Sequence, residues 1–308
     1  MSSHRPVMLD EAVAGLTPCA DGPHANGVYV DCTFGRGGHS RALLERLGPG
    51  GVLHALDQDP EAVAHARTAF AADPRLHIHH RNFSELRALA DELGISGRVA
   101  GVLMDLGVSS PQFDTAARGF SFSNDGPLDM RMNPTAGESA AQWLARAPDA
   151  EIADVLWRFG EERNSRRIAR RIVETRVLTP IATTAQLATL IASVPGPRSR
   201  TIHPATRSFQ AIRIHINREL EVLETALAAA LDILAPGGRL AVIAFHSLED
   251  RIVKRRLRDA ARAEVPRIKL LRKQFPSDAE CAANPRARSA VLRIAEKLPD
   301  VGLPEASP

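Results

Sequence analysis

Val28-Tyr29-Val30-Asp31-Cys32-Thr33-Phe34-Gly35-Arg36-Gly37-Gly38-His39 reads as an apolar strand that runs into a glycine-rich turn. A helix then opens at His39-Ser40 and carries Leu43, Leu44 and Leu47. Glycine permits a tight turn and a close backbone approach. The free amides of a helix N-terminus favour a polar or anionic group. Strand, glycine loop and helix therefore outline a nucleotide-cofactor site. The outline departs from the dinucleotide fingerprint, because Ser40 stands at the third glycine position and Asp31 lies inside the strand.

Working outward, Val52-Leu53-His54-Ala55-Leu56 forms a second strand that ends at Asp57-Gln58-Asp59-Pro60. Asp59 before Pro60 is a helix start, an N-cap acceptor followed by proline at N1. Asp57 lies twenty residues beyond Gly37, where a nucleotide-binding fold places a carboxylate for two ribose hydroxyls. The competing reading is a second N-cap or a surface acid. Leu76-His77-Ile78-His79 is a third strand, and Ser84 is read as capping the helix after it. Phe83 either stacks on an adenine or simply packs. Val99-Ala100-Gly101-Val102-Leu103-Met104 is a fourth, buried strand, ending at Asp105. Alternating strands and helices imply a parallel sheet with right-handed crossovers, and ligands bind such sheets at the carboxyl ends of the strands. Asp31, Gly35, Asp57, Phe83 and Asp105 all fall near those ends.

The alternation stops after Asp105. Residues 113–135 read as loop, 138–193 as wholly helical and 194–206 as a second loop containing Pro195, Pro197 and Pro204. One long helix is expected over 208–234, with Leu220, Leu223, Leu227, Leu231 and Leu234 on one face. Leu240 to Phe245 is a fifth strand, and β segments are expected at 267–271 and 289–295. The sheet thus resumes after a helical insertion. We expect a discontinuous domain of residues 1–113 and 207–308, with 114–206 inserted.

The chain has 308 residues, a net charge of +3 and 44% hydrophobic residues, which suits one large globular domain or two ordinary ones. Cys19, Cys32 and Cys281 are odd in number and far apart, so neither a disulfide framework nor a zinc site is indicated, and a reducing cytosol fits. The N-terminus lacks an apolar signal core and no run approaches membrane-spanning length, so a cytoplasmic protein is expected. Basic residues cluster: Arg163, Arg166, Arg167, Arg170 and Arg171; Arg198, Arg200 and Arg207; and Arg251, Lys254, Arg255, Arg256 and Arg258, continuing to Arg272 and Lys273. Each alone is a solvated face. Together, near one rim, they favour a polyanionic partner held through its phosphates.

Seven motifs go further. They are the opening stretch from Asp31 to His39, Asp105-Leu106-Gly107-Val108-Ser109-Ser110-Pro111-Gln112, Arg118-Gly119-Phe120-Ser121-Phe122, Gly126-Pro127-Leu128-Asp129-Met130-Arg131-Met132, His203-Pro204-Ala205-Thr206-Arg207, Phe245-His246-Ser247-Leu248-Glu249-Asp250-Arg251 and Asn284-Pro285-Arg286-Ala287-Arg288-Ser289. In this order, from His4 to about Lys297, the chain closely resembles the bacterial 16S rRNA (cytosine-N4)-methyltransferase family, RsmH or MraW. The resemblance implies an α/β fold, a class I methyltransferase Rossmann-like sheet with an inserted all-helical domain that recognises RNA. It implies S-adenosyl-L-methionine as cofactor and N4 of a cytidine in the decoding region, at the P site, of 16S rRNA as target, in the small ribosomal subunit. Carried over by motif, Gly37, Gly38 and His39 would contact the cofactor, Asp57 the ribose and Phe83 the adenine, with Asp105 and Gln112 at the rim. Cys32 stands where Gly or Ala is expected, and the stretch 259–275 is shorter than in some relatives.

The chemistry of the rim agrees. Asp31, Asp57 and Asp105 suit a ligand with an ammonium group and ribose hydroxyls better than a pyrophosphate. The cytosine amine is a poor nucleophile because its lone pair is delocalised, so an acceptor for its proton is needed. Asp105 is the candidate catalytic residue, with a pure cofactor contact as its rival role. Phe120 or Phe122 is a candidate to stack on the base. His246 is either a proton acceptor or a structural hydrogen-bonding group. A nicotinamide dehydrogenase lacks its third glycine here. A non-catalytic rRNA-binding assembly factor has no use for an acid-lined cofactor rim.

Overall fold

The computed structural model describes residues 5–16, 24–196 and 202–299. Cys19, Pro197, Arg198 and Arg200 lie outside the described residues. From the N-terminus the elements are α1 (Leu9–Leu16), β1 (Val28–Asp31), α2 (Gly38–Leu44), β2 (Val52–Asp57), α3 (Pro60–Ala69), β3 (Leu76–His80), α4 (Leu86–Glu92) and β4 (Val99–Asp105). Next come α5 (Ser110–Asp114), α6 (Ala140–Arg146), α7 (Asp149–Gly160), α8 (Ser165–Leu178), α9 (Thr184–Ser193) and α10 (Thr206–Ile216). The chain ends with α11 (Glu219–Ile233), β5 (Leu234–Ala244), α12 (Ser247–Ala261), β6 (Ile268–Leu270), α13 (Asp278–Ala283) and β7 (Val291–Lys297). Among the described residues no helix is long and apolar enough to cross a membrane.

The chain separates into two units, Met1–Gly107 with Leu220–Pro308, and Val108–Glu219. The sequence-based division at 113/114 and 206/207 differs, because α5 and α10 fall in the second unit. The first unit holds a seven-stranded sheet of order β3-β2-β1-β4-β5-β7-β6. β1 to β5 are parallel, while β7 runs antiparallel to β5 and β6. Strand order therefore reverses between β1 and β4, the position at which open α/β sheets bind ligands. The expected α/β sheet is present with all seven strands.

Alternation along each strand splits the core into two layers. Val30, Leu56, Val102, Met104 and Val242 pack under Leu86 and Leu89 of α4, Leu223 and Leu227 of α11, and Val253 and Leu257 of α12. Tyr29, Leu53, Leu103, Ala241 and Ile243 face the other way, against α1, α2 and α3. Both faces are covered, which is why the central strands read as near-continuous apolar runs. Asp59 caps α3 as expected, accepting from the Glu61 amide at 3.0 Å. The cap before α4 is not Ser84. A short 3-10 turn, Phe83–Glu85, precedes α4, and Asn82 caps that turn, its side chain accepting from Ser84 and its own amide donating to Glu85.

The second unit has a core of its own, built on Trp143, Leu144, Ile152, Leu156, Ile168, Ile172, Leu187 and Ile212. The long helix expected over 208–234 is broken. α10 stops at Ile216, Arg218 is left-handed at φ 49° and α11 begins at Glu219. Asn217 explains the break. Its Nδ2 donates to the Met130 carbonyl at 2.7 Å and its Oδ1 accepts from the Met132 amide at 2.7 Å. The turn thus fastens α10 to the Gly126–Met132 loop, in which Met130 itself is left-handed at φ 64°. Asn217→Ala strands one buried carbonyl and one amide, so we expect this unit to lose about 2–4 kcal/mol of stability. Hydrogen exchange at the Met132 amide reads it: its protection is expected to fall first, and unchanged protection would refute the tie.

Candidate active site at the strand ends

The site grows from the ends of β1, β2 and β4 in the first unit. β1 ends at Asp31, whose carboxylate is buried and already occupied. Oδ2 accepts from Ser40 Oγ at 2.6 Å and Oδ1 from the Thr33 amide at 3.0 Å. Burial still raises its pKa above the ordinary carboxylate value, against the lowering effect of these bonds. Asp31 is therefore a brace between β1 and α2. Its expected place as an open acid of the rim is corrected: only its charge reaches the ligand space. Cys32 beside it is buried in the core, and burial followed by the Asp31 charge pushes its thiol up, so it packs as a small apolar group.

The glycine loop is shaped by packing as much as by access. Gly37 is left-handed at φ 73° and caps α2, and a Cβ there would meet the Phe34 ring at 2.6 Å. A Cβ on Gly38 would meet Pro6 at 2.3 Å. Any side chain is thus excluded at both positions before a ligand is considered. His39 follows on the first turn of α2. It is 5% exposed, with Nδ1 3.6 Å from Asp105 Oδ2. Burial pushes its imidazole down to about 4, so it is neutral at physiological pH.

Asp57 ends β2 and ties the loop to the sheet. Its Oδ2 accepts from the Gly35 amide at 2.7 Å and its Oδ1 from the Asp59 amide at 2.8 Å. Each oxygen retains a lone pair for a further donor. Burial pushes the carboxyl up to about 6 in spite of those two amides. Gln58, the next residue, accepts from Asn82 Nδ2 at 2.7 Å through Oε1. That bond draws the start of the turn carrying Phe83 to the end of β2. The Phe83 ring is half-buried and packs against the aliphatic layer of α4.

Asp105 ends β4. Its amide donates to Thr33 Oγ1 at 2.7 Å, which joins it to the Asp31 brace. Its Oδ1 is buried and has no hydrogen-bond partner among the described residues. Burial, then the charges of Asp31 and Glu249, push this carboxyl well above the ordinary range. Three acids thus share one poorly solvated end of the sheet, a surplus of negative charge that a cationic ligand would relieve. Sequence reading missed Thr33, Ser40 and Glu249. Thr33 sits inside the opening motif and Ser40 directly follows it, and their polar side chains were the available signal.

Several expected residues do other work. Gln112 lies in the second unit and closes a capping box on α5, its Oε1 accepting from the Ser109 amide at 3.0 Å. Phe120 is buried, and Phe122 is flanked by the rings of His203 and Phe209 at 4.7 and 4.8 Å. Phe120 is thus part of the interior, and Phe122 is partly covered by these two rings. His246 caps α12, its Nδ1 accepting from the Glu249 amide at 3.4 Å, while Glu249 Oε2 accepts from the Phe245 amide at 2.9 Å. The structural hydrogen bond expected of His246 is present, while its Nε2 is buried, 3.0 Å from Glu249 Oε1.

The basic clusters are exposed at Arg163, Arg166, Arg167, Arg170, Arg171 and Arg207 and along α12. Among the described residues, Arg163, Arg166 and Arg170 have no acidic partner, and Arg171 reaches Glu174 at 3.9 Å. In α12, Arg251, Lys254, Arg255 and Arg256 are exposed, and Arg258 pairs with Asp259. Arg207 donates to the Glu161 carbonyl at 3.2 Å, closing the end of α7.

The chain is similar to proteins named ribosomal RNA small subunit methyltransferase H. It is 57% identical over 311 residues to that of Thioalkalivibrio sulfidiphilus (strain HL-EbGR7), covering 96% of this chain and 98% of the relative. It is 56% identical over 310 residues to that of Xanthomonas euvesicatoria pv. vesicatoria (strain 85-10), covering 96% and 89%. Among solved structures it aligns with an rRNA methylase from Streptococcus thermophilus at TM-score 0.43 and 11% identity, covering 94% of each chain, too distant for any residue to be carried over. The model of the MraW methylase family matches residues 1–298, and the chain belongs to that family.

Proposed function

We propose that the protein methylates N4 of a cytidine in the decoding region of 16S rRNA, with S-adenosyl-L-methionine as donor. The observation that carries the donor is the unpartnered Oδ1 of Asp105 beside two other buried acids at the strand ends. A ligand bearing a sulfonium and an ammonium group balances that charge, whereas a pyrophosphate would add to it. The residues present therefore fit this cofactor and not a dinucleotide. When bound, it supplies an electrophilic methyl group.

The protein's part is to hold, orient and exclude. Asp57 is suited to the ribose because each of its oxygens can accept one more hydrogen bond. Phe83, half-buried and tied close to the end of β2 through Asn82 and Gln58, is assigned to the adenine. His39, neutral and buried, packs beside Asp105 without adding charge. Asp105 is assigned to the amine of the base, which must lose a proton as its nitrogen becomes bonded to carbon. An enzyme acting on a base takes it out of the stack, so the target is an extruded cytidine. The second unit, with the unpaired arginines of α8, is assigned to RNA phosphates. The choice of N4 and of the decoding region follows from the seven motifs and from the names of the relatives.

The test is mass-spectrometric mapping of small-subunit rRNA, as naked RNA and in subunits, incubated with protein and cofactor. One additional methyl group on a single decoding-region cytidine is the expected result. Methylation elsewhere would refute the target. RNA binding without any methylation would favour the assembly-factor reading.

A further inference from the structure

One cluster of three histidines lies outside everything described above. His54 of β2 and His77 and His79 of β3 project from the same face of the sheet, because the pleat sends Leu53, Ala55, Leu76 and Ile78 to the other. His54 Nδ1 lies 3.1 Å from His79 Nε2. The His77 ring stacks on His54 at 5.2 Å between centroids, with 29° between planes. His54 is only 8% exposed, His79 is half-buried and His77 is exposed. β3 is the edge strand, so the group opens at the side of the sheet.

This is an unusual way to finish a sheet face. Imidazoles replace the aliphatic residues that pack under α4 farther in. Among the described residues no carboxylate forms an ion pair with them: the nearby Glu92 is engaged by Arg81 at 2.7 and 3.0 Å. Burial and mutual repulsion push His54 down to about 4, and His79 is lowered too. Burial thus favours the neutral, metal-binding form of His54 and His79. In a neutral pair one nitrogen donates and the other accepts, so two lone-pair sites share one proton. A divalent cation uses both. Two metal–nitrogen bonds of about 2.0–2.1 Å at roughly tetrahedral angles place the nitrogens about 3.3–3.4 Å apart. The observed 3.1 Å is a hydrogen-bond spacing within about 0.3 Å of that, so the two rings need to part only slightly to hold a cation. His77 stacks instead of converging, but as an exposed side chain it is free to turn inward as a third donor.

We propose that His54 and His79, completed by His77, form a nitrogen-donor site for one borderline divalent cation of the zinc, nickel or copper type. An all-imidazole set excludes magnesium and calcium, which require oxygen ligands. Bound there, the cation bridges β2 and β3 three residues before Asp57. It would brace the two strand ends that carry Asp57 and Phe83.

Full-length protein is titrated with zinc chloride and, separately, magnesium chloride by calorimetry in a non-chelating buffer. One zinc per chain and no magnesium is the expected outcome. His54→Gln and His79→Gln are each expected to weaken zinc binding at least about tenfold, while His65→Gln leaves it unchanged. Electron paramagnetic resonance of the copper-loaded wild-type protein does not depend on how the variants fold. It is expected to show coupling to two or three imidazole nitrogens. Absence of saturable zinc binding, binding unaltered in both variants, or a copper spectrum with a single nitrogen would each overturn the site.

Discussion

Asp57→Ala is expected to raise the dissociation constant for S-adenosyl-L-methionine by about 100-fold or more, while RNA binding changes by less than about twofold. The wild-type carboxylate accepts from the Gly35 and Asp59 amides and has capacity for the ribose. Hydrogen bonds to a charged group contribute about 1.5–3 kcal/mol each, and 1.4 kcal/mol is tenfold in affinity. Loss of the ribose contact plus loosening of the glycine loop reaches that size. Asp57→Asn is expected to fare little better. Its amide nitrogen must face either the Gly35 or the Asp59 N–H, so one donor meets another. The pH dependence gives an independent reading. The free carboxyl is pushed up to about 6, and ribose hydroxyls favour the ionised form. Affinity should therefore fall about tenfold per pH unit below 6, level off above it, and lose this dependence in Asp57→Ala. Folding stability moves the opposite way. A carboxyl raised above its unfolded value stabilises the fold below pH about 4, and that contribution is lost as pH rises through 6. Calorimetry from pH 5 to 8 measures the first trend. Equal loss of RNA binding in the variant would sink the division of labour.

The strands were legible because buried parallel strands are short apolar runs and each ends in an acid or a turn. α3 was legible from Asp59-Pro60 alone. What escaped the sequence depends on contacts distant along the chain. Leu223, Leu227 and Leu231 do lie on one buried face of α11, while Leu234 already begins β5, but nothing local to Asn217 announces bonds to Met130 and Met132, some 85 residues away. Ser84 and Asn82 are equally good caps on composition, and the reciprocal bond to Glu85 selects Asn82. At the site, sequence could place Asp31, Asp57 and Asp105 at strand ends. It could not distinguish an acid turned inward onto Ser40 from one with an oxygen unused, because that depends on which neighbour fills the space. The motif around Phe120 and Phe122 was conspicuous for its aromatics, yet its glycine is what the backbone requires: a Cβ on Gly119 would meet the Pro127 carbonyl at 2.4 Å. The family match covers residues 1–298 and leaves those roles to be read from the geometry.

Asp105→Asn is expected to lower the rate of methyl transfer by about 10²–10⁴-fold, the range for removing a positioned acid or base, with a smaller loss of cofactor affinity. The reason lies in the charge balance at the end of β4. Desolvation by burial, then the charges of Asp31 and Glu249, make this carboxyl hold its proton to higher pH than an ordinary carboxylate in the free protein. A cationic donor shifts that preference, because a positive charge nearby favours the ionised form. Binding should therefore release a proton, seen as an enthalpy that varies with the ionisation heat of the buffer. The demethylated product, which has lost the sulfonium charge, should release less. In the complex the ionised Oδ1 is an acceptor for the amine proton, so the single-turnover rate should rise with pH up to the carboxyl's pKa in that complex and then level. In Asp105→Asn both the proton release and the rising limb should vanish together. If Asp105 serves only as a cofactor contact, the outcome separates cleanly: affinity falls, while the single-turnover rate at saturating cofactor stays within about threefold and keeps its pH dependence. That result would reject Asp105 as the acceptor and leave the alignment of donor and amine as the main source of rate.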